Sequence, residues 1–211
     1  MNMRFEIEVD GQLREAEVRF GGEEEARLLT RWRYPAGLRV EEPIADALEY
    51  ARLACKRWRH YRRAGATVSS GSELRTALRR NPKAEVAMLL VARPGWRSPT
   101  SILGFAYFRR TWCHHFVVDF LAVHPRVIAG RPERIRRVGS GLLDQLVGLA
   151  EEMEVPCIWG EATANSAPFY ERTLHLEQIL DHFFIEDEVM TYCRERLHRE
   201  RAQMLARREI K

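Results

Sequence analysis

Apolar and polar residues alternate from the first residues of the chain. Phe5, Ile7 and Val9 are spaced by charged groups, and Ala16, Val18 and Phe20 repeat the pattern beyond Asp10-Gly11. A period of two reads as strand, and Asp-Gly between two such runs reads as a hairpin turn, so strands are predicted over Met3–Val9 and Leu13–Phe20. The period then lengthens. Glu23–Arg33 opens with acids and reads as a helix ended by Tyr34-Pro35-Ala36-Gly37. Ile44, Ala47, Leu48, Ala51, Ala54, Cys55 and Trp58 follow helical spacing and predict a helix over Pro43–Ala64, with Gly65 after it. Ser72–Arg80 is a further short helix, with Ser72 as its expected cap and Asn81-Pro82 as its stop.

From residue 84 the period shortens again. Glu85–Ala92, Ser101–Arg110 and His115–Val123 read as three strands on short connections, which predicts an antiparallel meander. His124–Arg137 is a basic loop, Val138–Glu152 a helix and Val155–Glu161 a strand. Strand, helix and strand in that order require a crossover and a parallel neighbour. Ser166–Thr173 reads as a short helix, Gln178–Phe183 and Glu188–Arg194 as two closing strands, and Glu195–Lys211 as a charged helical tail.

The expected organisation is one domain over 1–194 followed by the tail over 195–211. Within the domain, 1–83 is an elaborated N-terminal part and 84–194 the core. The apolar fraction of 45% suffices for that core. There is no run of 18 apolar residues, so no membrane span is expected, and the charged first twenty residues do not read as a signal peptide. A cytoplasmic protein is the expectation. Cys55, Cys113, Cys157 and Cys193 form no CxxC pair and read as reduced thiols, mostly buried. The net charge of +4 is mild, and only Lys56, Lys83 and Lys211 among the basic residues are lysine. Contact with nucleic acid is compatible with this balance and not favoured by it. Cys113-His114-His115 implies no metal, because adjacent strand residues point to opposite faces.

The residues with most to say about chemistry are Arg136-Arg137-Val138-Gly139-Ser140-Gly141, a glycine-spaced turn entering a helix. Free amides and the helix dipole at such a turn suit a phosphate. A second segment, Asn165-Ser166-Ala167-Pro168-Phe169-Tyr170, follows the next predicted strand. Together they suggest a pyrophosphate-bearing cofactor whose reactive end lies near a tyrosine hydroxyl.

With these two segments inside it, the element order over residues 84–194 resembles the GNAT superfamily of acyl-CoA N-acyltransferases. The resemblance implies an α/β fold, with a mixed, mostly antiparallel central sheet, one splayed parallel pair and flanking helices. It implies acetyl-CoA or another acyl-CoA as co-substrate, no metal, and transfer to a primary amine by direct attack in a ternary complex. The amides of Arg137, Val138, Gly139, Ser140, Gly141 and Leu142 would cradle the pyrophosphate, with Arg136 and Arg137 adding charge. The pantetheine arm would pair with Leu121, Ala122 and Val123 like an added strand, and Asn165 would bond or orient it. Tyr170 would protonate the departing thiolate. Asp119 is the first choice for the base, with His115 and His124 as alternatives. An acceptor on a macromolecule (protein or aminoacyl-tRNA) and a non-catalytic acyl-CoA-binding module are the other readings, and a homodimer is left open. The chain departs from the family pattern twice. The stretch from Pro125 to Arg136 is long and basic, so residues 126–135 would cover the phosphates or reshape the acceptor mouth. Leu174-His175-Leu176 stands where Leu-Gly-Phe is common.

Overall fold

The computed structural model describes residues 3–37 and 41–209. Leu38–Val40 and the last two residues of the predicted tail lie outside the described residues. Two N-terminal strands, β1 (Met3–Val9) and β2 (Gln12–Phe20), form the hairpin around Asp10-Gly11, and both turn residues have positive φ. Helices α1 (Glu23–Leu29), α2 (Glu42–Arg63) and α3 (Gly71–Arg80) follow. The cap of α3 is Ser70 rather than Ser72: the Ser70 hydroxyl accepts from the Glu73 amide at 3.1 Å. Ser72 stands one residue inside the helix, beyond the position from which its own side chain could cap it.

Strands β3 (Val86–Pro94), β4 (Gly104–Arg110) and β5 (Phe116–Val123) make the expected meander. The basic loop then holds a short helix, α4 (Pro125–Ile128), and a two-residue strand, β6 (Ile135–Arg136), which pairs with β1. Helix α5 (Val138–Glu152), strand β7 (Ile158–Glu161) and helix α6 (Ala167–Leu174) follow, then β8 (His182–Ile185) and α7 (Asp187–Glu209). Among the described residues eight strands form one sheet in the order β6-β1-β2-β3-β4-β5-β7-β8, antiparallel throughout except for β5 with β7. This is the mixed α/β class expected, with its single parallel pair. No described helix is long and apolar enough to cross a membrane.

The chain end differs from expectation. Glu188–Arg194 is helix, not strand, and the predicted tail continues the same helix. Met190, Cys193, Leu197 and Met204 recur at helical spacing and are all buried. Helix α7 lies against α5, where Gly148 lets Leu197 and Arg201 come close: a Cβ there would sit 2.9 Å from both side chains. Beneath this contact the Arg196 guanidinium pairs with buried Asp144 on α5 and donates to the Thr173 carbonyl on α6 at 2.6 Å. Burial raises the Asp144 carboxyl to about 6 despite its partner.

Two apolar layers sandwich the sheet. Phe5, Ile7, Leu90, Phe108, Val118, Leu142 and Leu146 pack beneath α5 and α7, and Leu89, Phe105, Tyr107, Ala51 and Trp58 beneath α1 and α2. All four cysteines are free thiols, and three are buried.

Candidate functional site

The site begins with an irregularity in β5. Its register against β4 shifts between Tyr107 and Phe108, so that Asp119 is an extra residue with no partner of its own across the ladder. Such a bulge bends and twists the strand that carries it. Before it, Phe116, Val117 and Val118 pair with Ile158, Trp159 and Gly160 of β7. After it, Phe120–Val123 keep β4 on one side and have no β7 partner on the other. Gly160 marks the point of parting: a Cβ there would lie 2.7 Å from the Val118 carbonyl and 2.9 Å from the Phe183 ring.

A pocket of about 680 Å³ opens where the strands separate. Leu121, Ala122 and Val123 form its floor and Gly139 one end, while Asn165, Phe169 and Tyr170 stand on the β7–α6 side. Pro43, Asp46, Ala47 and Tyr50 close the opposite wall from α2. They fall at i, i+3, i+4 and i+7, which is one face of a helix.

The two segments singled out in the sequence are thus both present at the pocket. Arg137 caps α5 in the left-handed region (φ 71°, ψ 10°), no side chain caps the helix, and its first turn holds no acid. A helix start of that kind leaves its amides and positive dipole end for an anion. Val138 and Leu142 are buried in the core, and the Ser140 hydroxyl donates to the Arg137 carbonyl at 3.2 Å. The glycines differ in purpose. A Cβ on Gly139 would touch the Phe169 ring at 3.2 Å, at the pocket end, whereas one on Gly141 would enter the Phe5 ring on β1. Gly141 therefore serves the seating of α5 on the sheet and not an approach to the pocket.

The arginines of the turn face elsewhere. Arg136 lies 3.7 Å from Glu8, Arg137 pairs with Glu200 on α7, and neither lines the pocket. The long basic stretch arches from Ile128, a pocket residue, to the outer edge of β1, where Asp10 accepts from the Arg134 amide at 2.9 Å. Residues 131–136 thus belong to the sheet edge.

Helix α6 starts from a reciprocal turn. The Thr163 amide donates to the Ser166 hydroxyl at 2.9 Å, and the Ser166 amide donates to the Thr163 hydroxyl at 3.3 Å. Pro168 fits the first turn, which needs no amide there. This seats Tyr170 inward, 4% exposed, stacked on Phe183 at 3.9 Å with 17° between the rings. Among the described residues its hydroxyl has no hydrogen-bond partner. Burial holds the phenol well above its usual range, so it keeps its proton at neutral pH. At the far end His175 takes the left-handed position (φ 56°, ψ 41°) that a glycine would fill more cheaply. The departure at Leu174-His175-Leu176 leaves the helix end intact.

The proposed bases are not at the pocket. Asp119 is buried beneath α2, in a two-point ion pair with Arg109 (2.6 and 3.0 Å) and a further pair with Arg57. Arg109 also reaches Glu85 at 2.9 Å, and Arg57 lies over the Phe120 ring. Both oxygens of this carboxylate are taken up by guanidinium donors, away from the pocket. His124 caps α4 by accepting from the Arg126 amide at 3.1 Å, and burial lowers it to about 4. His115 precedes the paired end of β5, roughly 26 Å along the strand from Val123 at about 3.3 Å per residue.

Sequence reasoning missed the α2 wall. Asp46 is the only carboxylate among the described residues of the lining, and it accepts from the Asn165 amide at 3.0 Å, bridging the pocket from α2 to the β7–α6 turn. The available signal was a carboxylate and a tyrosine, Asp46 and Tyr50, one turn apart beside the apolar stripe of that helix.

No family model matches the chain, and no curated protein matches it. Solved structures do. A Bacillus anthracis protein given as a streptothricin acetyltransferase, solved with acetyl coenzyme A, is 17% identical over 48% of this chain and 63% of its own, with a TM-score of 0.37. A GNAT-family acetyltransferase of Staphylococcus aureus Mu50 is 10% identical over 80% of this chain and 97% of its own, with a TM-score of 0.44. A nourseothricin acetyltransferase is 14% identical over 75% and 81%, with a TM-score of 0.41. The chain spans slightly less than two thirds of the first of these.

Proposed function

We propose that the chain is an N-acyltransferase that moves an acyl group, most simply acetyl, from an acyl-CoA to a primary amine within a ternary complex. One observation carries the reading. A single pocket, opened by the parting of β5 and β7, joins an uncapped helix start at Gly139 to the partnerless hydroxyl of Tyr170.

The residues present fit coenzyme A. The first amides of α5 suit its pyrophosphate, and the unpaired edge of β5 over Leu121–Val123 suits an amide-bearing arm laid beside it as a strand. Asn165 has a side-chain amide at the same wall. Bound there, coenzyme A supplies an acyl thioester, an electrophile ready for an amine. The neutral amine nitrogen forms the bond to the carbonyl carbon, the carbon–sulfur bond breaks, and the amine proton leaves to water. Backbone amides on the free edge of β5 can steady the oxyanion. Tyr170, protonated at neutral pH, gives its proton to the departing thiolate and recovers one from solvent. None of these roles needs a cysteine, Asp119 or a metal.

Calorimetric titration with acetyl-CoA tests the reading, with Ser140→Glu as the control. An acid in the first turn favours the helix but repels a phosphate, so the variant should stay folded and bind at least tenfold more weakly. Absence of binding to the unaltered protein refutes the proposal.

A further inference from the structure

Strand β8 ends the sheet, and its outer edge is open. The Ala162 amide donates to the Asp181 carbonyl at 2.7 Å, which sets the parity of the antiparallel ladder between β7 and β8. Phe183 and Ile185 therefore turn their backbone groups to β7, and His182 and Phe184 turn theirs away from it. Among the described residues nothing bonds to those outward amides and carbonyls. The side chains divide too. Phe183 and Ile185 are buried on the α5 side, while His182 and Phe184 lie on the opposite face, which α2 covers over β3, β4 and β5 and leaves open beyond. There Phe184 is 45% exposed and stacks on Trp159 of β7, with 6.3 Å between the rings, and His182 lies 6.0 Å from the same indole. Sheet edges are commonly blunted by a lysine, a proline or a bulge, and His182–Ile185 has none of these.

The edge has room for one more strand, and the charges around it say of what kind. From Ile158 to Glu188 the chain carries seven carboxylates and a single arginine, Arg172, against an overall balance of +4. Asp181 stands at one end of β8 and Glu186, Asp187 and Glu188 at the other, while Glu161 lies opposite His182 in the register. Glu161, Asp181, Asp187 and Glu188 are exposed, and none has an ion-pair partner among the described residues. A second copy of β8 is a poor occupant. Antiparallel pairing of the two outward edges would set His182 opposite Phe184 of the copy and bring Asp181 beside the copy's Glu186, like charge near like at both ends. We infer that β8 is a docking edge for an extended basic segment of another protein. The segment's backbone bonds to His182 and Phe184, an apolar side chain lies against Phe184 and Trp159, and flanking lysines or arginines meet the acids at the two ends of β8. Strand β7 stands between this edge and the pocket, so the inference holds whether or not the acyl-transfer reading does.

The probe is a fluorescein-labelled peptide with blocked ends, alternating valine and threonine at its centre and carrying two lysines on each flank. Its anisotropy on titration with the protein should show saturable binding below about 1 mM, and the same peptide with glutamates for lysines should bind at least tenfold more weakly. In the complex the outward amides of His182 and Phe184 should exchange with solvent at least tenfold more slowly, while those of Phe183 and Ile185, already bonded to β7, should not change. Phe184→Pro removes one outward amide and spares the β7 ladder, and Asp181→Asn with Asp187→Asn removes two charges. Each should weaken binding at least fivefold in a protein still folded by its thermal melt. The amide exchange and the charge variant decide the matter even where Phe184→Pro does not fold. No binding of the lysine peptide overturns the inference. So does equal binding of the glutamate peptide, binding that protects neither outward amide, or a protein that sediments as a dimer with both amides protected before peptide is added.

Discussion

The two halves of β5 are built from similar residues and do opposite things. Phe116, Val117 and Val118 lie between β4 and β7, paired on both sides and almost wholly buried. Leu121, Ala122 and Val123 are as apolar, but they have a neighbour on one side only and form a pocket floor. Composition does not separate them. One inserted residue does, because the bulge at Asp119 turns the strand after it while β7 continues on its own line. A site in this protein is made by withholding a strand partner, and the chemistry then falls to whatever the neighbouring elements aim into the gap.

The sharpest way to break that comparison is at Tyr170, the residue the open half serves and the closed half lacks. Tyr170→Phe removes a hydroxyl with no protein partner, so stability should change little. Turnover should fall about 10²- to 10⁴-fold, the usual share of a positioned acid. Thiol release at saturating substrates, beside a thermal melt, decides it. A variant that keeps more than a third of the turnover would take Tyr170 out of the proton transfer.

The residue at the junction sharpens the comparison with a smaller effect. Asp119 belongs to the closed half by its contacts, since Arg109 and Arg57 tie it to β4 and α2. Asp119→Asn leaves two guanidiniums short of a partner and should cost about 1–3 kcal/mol of stability. Its turnover should stay within about threefold, measured at a temperature where the variant is folded. A hundredfold loss in the folded variant would return Asp119 to the role of base.

Asp119 also shows where a sequence stops speaking. Its place on the strand before Leu121 was legible, as were the meander, the crossover, the glycine turn and the inward tyrosine. Each of those is set by local period or local turn chemistry. What a charged strand residue pairs with depends on helices sixty residues away, and Arg57 leaves no mark near Asp119. The same holds for Gly141, whose neighbour is Phe5, and for the wall made by Asp46. The closing helix was misread for a different reason. Over 188–194 a short apolar and polar alternation fits strand as well as helix, and only the buried series continuing to Leu197 and Met204 separates the two.

The smallest expected effect is in the pH profile, and it sets two ionisable groups beside the open half of β5 against each other. His124, at the strand's end, is pushed down to about 4 by burial and by Arg126, so it is already neutral above about pH 5. Tyr170 is pushed up by burial, so it loses no proton below its ordinary range near pH 10. Between pH 6 and 9 neither changes charge. The dependence of kcat/KM over that interval should therefore be a single rising limb with slope near one, set by the neutral fraction of the reacting amine, and it should change less than twofold in shape in His124→Gln. Profiles taken with a primary amine that turns over, at constant ionic strength, measure this. A second limb, falling below pH 9, would mean that the proton donor titrates in the ordinary range, and Tyr170 in its present burial could not be that donor.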